Sequence, residues 1–193
     1  MTATAPQPAR TAGPLRTAAH RWPALLGAVF AAFVAWDLGT GGDLAPVLTA
    51  SGLIYLGAAA IRRPNAAWPL FAITFVIIGA AGFTPWENLA TWVLIGLAAA
   101  LAVYGLATGA VRPPEGLPLQ SLGMAVFGAA AVAAVLVGGD LAAYLVAVGL
   151  LGHAAWDVHH HRTGRVVARS LAEFCVVLDT VVAVVIVIAT LNG

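Results

Sequence analysis

The sequence predicts an all-α, polytopic integral membrane protein with seven transmembrane helices, and three observations carry this prediction. Of the 193 residues, 61% are hydrophobic and only 9% are charged. The apolar residues are gathered in seven long segments that lack the alternating pattern of a β-strand. The arginines fall in alternate connections between these segments. Together these features indicate a helical bundle that crosses a membrane.

The composition excludes several classes of protein. A soluble domain has about 25% charged residues, because its surface must face water, and a chain with 9% charged residues cannot build such a surface. A soluble enzyme, a nucleic-acid-binding protein and a disordered chain are therefore excluded. The chain has no lysine, so it cannot form the Schiff base of a retinal protein. The expected partner is the lipid bilayer, with no nucleic acid.

The apolar segments are the predicted transmembrane helices. A helix needs about 20 apolar residues to cross a hydrocarbon core of about 30 Å, and inside lipid each backbone polar group must be paired within its own segment. The first and sixth segments are shorter, so we expect their tryptophan ends to lie in the membrane interface. We interpret the first segment as an uncleaved helix, because phenylalanines stand where a signal peptidase requires a small residue. The segments cover residues 22–36, 44–61, 66–83, 89–107, 117–137, 141–156 and 166–191.

The arginines predict the orientation of the chain. With seven helices, all nine arginines fall on one side, and the opposite loops carry only acidic residues. The positive-inside rule then places the N-terminus in the cytoplasm and the C-terminus outside. The expected location is the inner membrane of a bacterium. Residues 1–20 are expected to be a disordered basic tail, and residues 21–193 a single transmembrane domain.

Histidines are concentrated near the end of the sixth segment. Gly149, His153 and Asp157 follow one another at a spacing of four residues, so they share one helical face, and His160 extends this face if the helix continues. A histidine and a carboxylate so placed can bind a divalent metal or share a proton. We predict His153 and Asp157 as catalytic residues, and His153, Asp157 and His160 as ligands of a divalent metal. The alternative for residues 159–161 is a solvated loop beside arginines.

The seventh segment places Asp179 deep in the membrane. It lies thirteen residues into an apolar run, about 20 Å along the helix axis. An ionised Asp at that depth costs at least about 2.5–3.5 kcal/mol, so it must be protonated, paired or facing a wet cavity. We predict Asp179 and Glu173 as further catalytic candidates. The alternatives are a protonated Asp179 bonded to a neighbouring helix, and an interfacial ion pair between Glu173 and Arg169.

The two last segments are expected to form an antiparallel hairpin that assembles the site in the cytoplasmic half of the bundle. Residues equally far from the connecting loop face each other in such a hairpin. We therefore expect His153 and Glu173 at equal depth, and Asp179 level with residues 145–149. Gly149 leaves space there for a substrate or for a neighbouring helix. The predicted constellation is therefore His153 and Asp157 from one helix with Glu173 or Asp179 from the next.

Three functions are compatible with these residues. The first is a membrane-embedded enzyme that performs acid–base chemistry, with or without a divalent metal, on a lipid or isoprenoid. The second is a proton- or cation-coupled transporter that uses Asp179 as its binding site. The third is a structural or partner-binding subunit in which the polar residues only determine helix packing. A pocket open laterally to lipid and lined by His153, Asp157 and Asp179 favours the first function. An aqueous path to Asp179 favours the second, and a closed, dry Asp179 with a hydrogen-bond partner favours the third.

Overall fold

The structure is a computed structural model that describes residues 21–36 and 41–193. Within these ranges the chain is helical and contains no strand, which confirms the predicted all-α class. The predicted basic tail at residues 1–20 lies outside the described part. The helices are α1 (Trp22–Trp36), α2 (Ala45–Ile61), α3 (Ala67–Ala81), α4 (Leu89–Ala107), α5 (Leu117–Val137), α6 (Gly139–Thr163) and α7 (Arg169–Asn192), with short 3₁₀ turns at Gly41–Leu44 and Pro64–Ala66.

Six of these helices, α2 to α7, are long and apolar enough to cross a membrane when α2 and α3 are counted with their 3₁₀ turns. The remaining helix, α1, has 15 residues. Large apolar side chains are exposed over most of the bundle, among them Leu25, Phe33, Val76, Leu122 and Val148. Such a surface suits hydrocarbon and not water, so the fold has the character of a membrane protein.

Helix α2 is the central helix of the bundle. In the span Gly41–Ile61, 78% of the most apolar stretch is buried, a larger share than in any other candidate span. Close packing depends on small residues: a Cβ added to Gly149 of α6 would lie 2.5 Å from Cδ2 of Leu48 in α2. The space that the sequence left open for a substrate or a helix at Gly149 is therefore taken by α2.

Helix α1 packs along α7. A Cβ added to Gly27 would lie 2.5 Å from the backbone carbonyl oxygen of Phe174, so glycine permits the two backbones to meet. At the start of both helices, Nη1 of Arg21 lies 3.1 Å from Oε1 of Glu173. The predicted pair between Glu173 and Arg169 is thus replaced by a pair that joins α1 to α7.

The α6–α7 hairpin turns later than the sequence analysis assumed. Helix α6 continues through the histidine run to Thr163, and α7 begins at Arg169. The midpoint of the hairpin is Val166, and His153 and Asp179 are both thirteen positions from it. The predicted equal depth of His153 and Glu173 was therefore wrong, and Asp179 is the residue that faces His153.

Three connections carrying arginine meet at one end of the bundle. Arg62, which follows α2, donates from Nη2 to the carbonyl oxygen of Thr108, after α4, at 3.0 Å. Arg165, between α6 and α7, donates from Nη1 to Oε1 of Glu115, before α5, at 2.9 Å. These contacts bring the α2–α3, α4–α5 and α6–α7 connections together, and we call this the arginine end.

Candidate functional site

Four polar side chains meet in the interior between α2, α6 and α7, and we call them the buried cluster. Its members are Tyr55 of α2, His153 and Asp157 of α6, and Asp179 of α7. Their exposed fractions are 2%, 0%, 0% and 1%, in that order. Polar groups buried so completely are stable only when they are bonded to one another or to a ligand.

Two separate hydrogen bonds join the members of the buried cluster across three helices. The Tyr55 hydroxyl donates to Oδ1 of Asp157 at 2.5 Å, and Nδ1 of His153 donates to Oδ2 of Asp179 at 2.7 Å. The same Nδ1 lies 3.1 Å from Oδ2 of Asp157. A ring nitrogen carries at most one proton, and the proton on Nδ1 of His153 points to Asp179. His153 and Asp157 are therefore in contact without a hydrogen bond.

Two buried atoms of the cluster have no hydrogen-bond partner among the described residues. These atoms are Nε2 of His153 and Oδ2 of Asp157. The two carboxylates also bring two negative charges into an apolar interior, where uncompensated charge is strongly unfavourable. The cluster becomes neutral when His153 carries a second ring proton and one of the two carboxyl groups is protonated. One bound divalent cation would have the same effect. The site is therefore suited to hold protons or a metal ion.

The buried cluster also has the composition of a metal site. Ligand atoms of His153, Asp157 and Asp179 all lie within 4.8 Å of one another. Imidazole nitrogen together with carboxylate oxygen is a donor set that suits several divalent transition metals. Asp179, and not the predicted His160, is the third member of this set.

Asp179 forms part of the wall of a large cavity. The cavity has a volume of about 720 Å³ and lies between α1, α2, α3 and α7. Two of its wall residues, Phe33 and Trp36, are 63% and 91% exposed on the outside of the bundle. The cavity therefore reaches the exposed apolar surface of the bundle between α1 and α3. Its volume falls within the range of about 300–1,000 Å³ that is typical of ligand pockets.

The cavity wall is apolar except at a few positions. Ser51 and Thr74 line it, but their hydroxyl groups donate to the carbonyl oxygens of Val47 and Phe71 in their own helices. Among the described residues, Asp179 is the one charged side chain in the wall. An apolar pocket with a single acidic group can bind a hydrocarbon and present one proton-transferring group to it.

Aromatic rings close the other side of the buried cluster. The ring of His153 lies 5.2 Å from that of Tyr55 and 5.0 Å from that of Phe127, in edge-on contacts. Towards the arginine end, the space between α1 and α3 is closed by Trp22 stacked on Trp68 at 5.6 Å. Of the four members of the buried cluster, Asp179 is the one that lines the cavity.

The structure does not bring His160 or Glu173 into the buried cluster. Nδ1 of His160 donates to the carbonyl oxygen of Trp156 at 2.9 Å, and Nε2 accepts from Nε2 of Gln120 at 3.0 Å. Both ring nitrogens are thus used, which leaves no lone pair for a metal. Glu173 lies at the surface with Arg21. These two residues join helices to one another.

Tyr55 is the member of the cluster that sequence reasoning did not assign to the site. A tyrosine within an apolar segment signals that its hydroxyl group bonds another helix, because the group would otherwise be unsatisfied in hydrocarbon. The partner, Asp157, is 102 positions away in the chain. No local pattern indicates a contact of that separation.

No family model, curated protein sequence or solved structure matches this chain. The fold and the buried cluster define its class, a helical protein with the character of a membrane protein and a polar site within the bundle. A functional assignment therefore depends on the chemistry of that site.

Proposed function

We propose that this protein is a membrane-embedded enzyme that transfers protons to and from a lipid or isoprenoid. The substrate lies in the cavity between α1 and α3, and Asp179 is the group that contacts it. The single observation that carries this proposal is the position of Asp179. On one side it faces an apolar cavity that reaches the lipid surface, and on the other it is bonded to His153 at 2.7 Å.

In this proposal the members of the buried cluster have separate roles. Asp179 gives a proton to the substrate or removes one, and His153 restores the proton state of Asp179 through their shared hydrogen bond. Asp157 lies beside the His153 ring and stabilises its charged form, while Tyr55 holds Asp157 in place. Asp179 is the catalytic residue, and Tyr55 and Asp157 are positioning residues.

The proposal includes an arrangement in the membrane. All seven helices cross the bilayer, with the N-terminus and the arginine end in the cytoplasm and the C-terminus outside, in a bacterial inner membrane. The positive-inside rule supports this orientation, as does the meeting of the arginine-bearing connections at one end. Asp179 then lies near the middle of the bilayer, at the depth of the lipid chains.

Deuterium incorporation tests the enzyme proposal. Purified protein is placed in vesicles of a bacterial total lipid extract in heavy water, and the extracted lipids are analysed by mass spectrometry. We expect carbon-bound deuterium or a new lipid mass with the wild type and with Asp140→Asn, an exposed acid at the start of α6. Neither should occur with Asp179→Asn, provided that this variant elutes as the folded protein. Identical lipids with all three proteins would refute the proposal and favour a structural role.

Metal binding at the same cluster is the second candidate, because Oδ2 of Asp157 has no hydrogen-bond donor among the described residues. Proton transfer through the His153–Asp179 bond requires no metal, so we expect equally low metal in the wild type and in His153→Ala. About one divalent ion per wild-type chain, lost in His153→Ala, would replace the metal-free mechanism with a metal-assisted one. Glu173→Gln is the matched control and should leave the metal content unchanged.

A further inference from the structure

A second cavity lies at the arginine end, away from the buried cluster. It has a volume of about 420 Å³, and its wall includes four arginines and one glutamate. The arginines come from three connections: Arg62 and Arg63 follow α2, Arg112 precedes α5, and Arg165 precedes α7. The positive-inside rule explains arginines on one side of a membrane, but it does not require them to converge on one cavity.

The positive charges around this cavity are only partly neutralised. Arg165 is paired with Glu115, and Arg62 donates to a backbone carbonyl oxygen. The guanidinium groups of Arg63 and Arg112 form no hydrogen bond or ion pair with any described residue, so they retain their full donor capacity. Like charges held around one space repel one another, and an anion between them removes this repulsion.

The backbone around the cavity is held in an unfavourable conformation at Val166, which has φ of 70°. Arg62, with φ of 57°, is the left-handed residue that ends α2. A β-branched residue in the left-handed region is a genuine outlier. Such conformations persist where the surrounding structure enforces them, and they are concentrated at ligand-binding and switch regions.

We infer that this cavity binds a phosphate group through Arg63 and Arg112. Guanidinium groups match the oxygens of a phosphate with paired, charge-assisted hydrogen bonds. The cavity volume equals roughly 14 water volumes, so it admits a phosphate together with the group that carries it. Basic pockets between helices on the cytoplasmic side are a known way to hold anionic lipid headgroups. The ligand is therefore a phosphate anion, either free or as part of a phospholipid.

The test measures binding to the purified full-length protein by isothermal titration. The probes are inorganic phosphate and a short-chain phosphatidic acid below its micelle concentration, with a short-chain phosphatidylcholine for comparison. We expect the double variant Arg63→Gln, Arg112→Gln to bind phosphatidic acid at least tenfold more weakly than the wild type. Arg162→Gln removes an exposed arginine that does not line the cavity, so it should bind as the wild type does.

The outcomes also identify the source of the phosphate. If phosphatidic acid binds at least tenfold more tightly than inorganic phosphate, the site takes a lipid headgroup. If the two bind with equal affinity, the site takes the free anion. Arg63→Lys keeps the charge but loses the paired geometry, so it should fold and still bind more weakly than the wild type. No binding to the wild type, or equal loss in Arg162→Gln, would overturn the inference.

Discussion

Replacing Tyr55 with phenylalanine is the most direct perturbation of the buried cluster. The change removes one oxygen atom and leaves the ring, whose exposed fraction is 2%, in place. Asp157 then loses the donor to its Oδ1, and its Oδ2 already lacks one among the described residues. The carboxyl group is left buried without a hydrogen bond, which is the costly case for any polar group.

The size of the effect follows from two opposing estimates. Losing a hydrogen bond to a charged group costs about 1.5–3 kcal/mol in soluble proteins. Hydrogen bonds between membrane helices average only about 0.6 kcal/mol, with a maximum of about 1.7, because the unfolded helices also find partners in the membrane. Since Asp157 is 0% exposed, we expect a loss near the upper end of the membrane range, about 1–1.7 kcal/mol. For a chain of this size that lowers Tm by roughly 2–7 °C.

Thermal unfolding in detergent measures this loss against a matched control. Tyr144 of α6 is 37% exposed, so Tyr144→Phe should leave Tm unchanged. In an Asp157→Leu background the acceptor is absent, and Tyr55→Phe should then be neutral or stabilising. Equal Tm values for Tyr55→Phe and Tyr144→Phe, or an undiminished loss in the Asp157→Leu background, would refute the proposed bond.

Two further predictions concern the contacts of α1 and α7. Gly27→Ala would bring a Cβ to 2.5 Å from a backbone oxygen of α7, so we expect it to cost about 1–3 kcal/mol in thermal unfolding. Gly96→Ala is the control, because nothing lies within 4 Å of the new Cβ, and it should be neutral or stabilising by up to about 1 kcal/mol. Equal losses of stability in the two variants would contradict the packing of α1 on α7. Glu173→Gln removes an ion pair in which the Arg21 side chain is 70% exposed. It should therefore lower the free energy of unfolding by no more than about 1 kcal/mol and preserve deuterium transfer. Loss of transfer would show that Glu173 takes part in the reaction.

The sequence predicts the helices well because each is encoded locally. Segments 22–36, 89–107 and 117–137 have the same bounds as α1, α4 and α5, since proline, glycine and polar residues flank uninterrupted apolar runs. The end of α6 was missed because three histidines and an arginine resemble a solvated loop. In this part of α6, Gln120 of α5 bonds His160, and a contact with another helix has no local signal in the sequence.

The candidate site was predicted in part. His153, Asp157 and Asp179 were found because ionisable residues in apolar segments are rare and unfavourable unless they are partnered. The pairing of His153 with Asp179 depended on where the hairpin turns, so an error of seven residues at the end of α6 moved the predicted partner to Glu173. Tyr55 and the cavity between α1 and α3 depend on tertiary packing, which the spacing of residues along the chain does not encode.

The most direct test of the central claim is the reaction of Asp179 with an apolar carbodiimide. Dicyclohexylcarbodiimide enters lipid and adds to protonated carboxyl groups, and peptide mass spectrometry locates the product. The account predicts labelling of Asp179, which lines the cavity, and none of Asp157, which does not line it. A water-soluble carbodiimide should label exposed acids such as Asp140 and leave Asp179 unmodified. An unlabelled Asp179, or equal labelling by both reagents, would contradict an acid that faces a lipid-filled cavity.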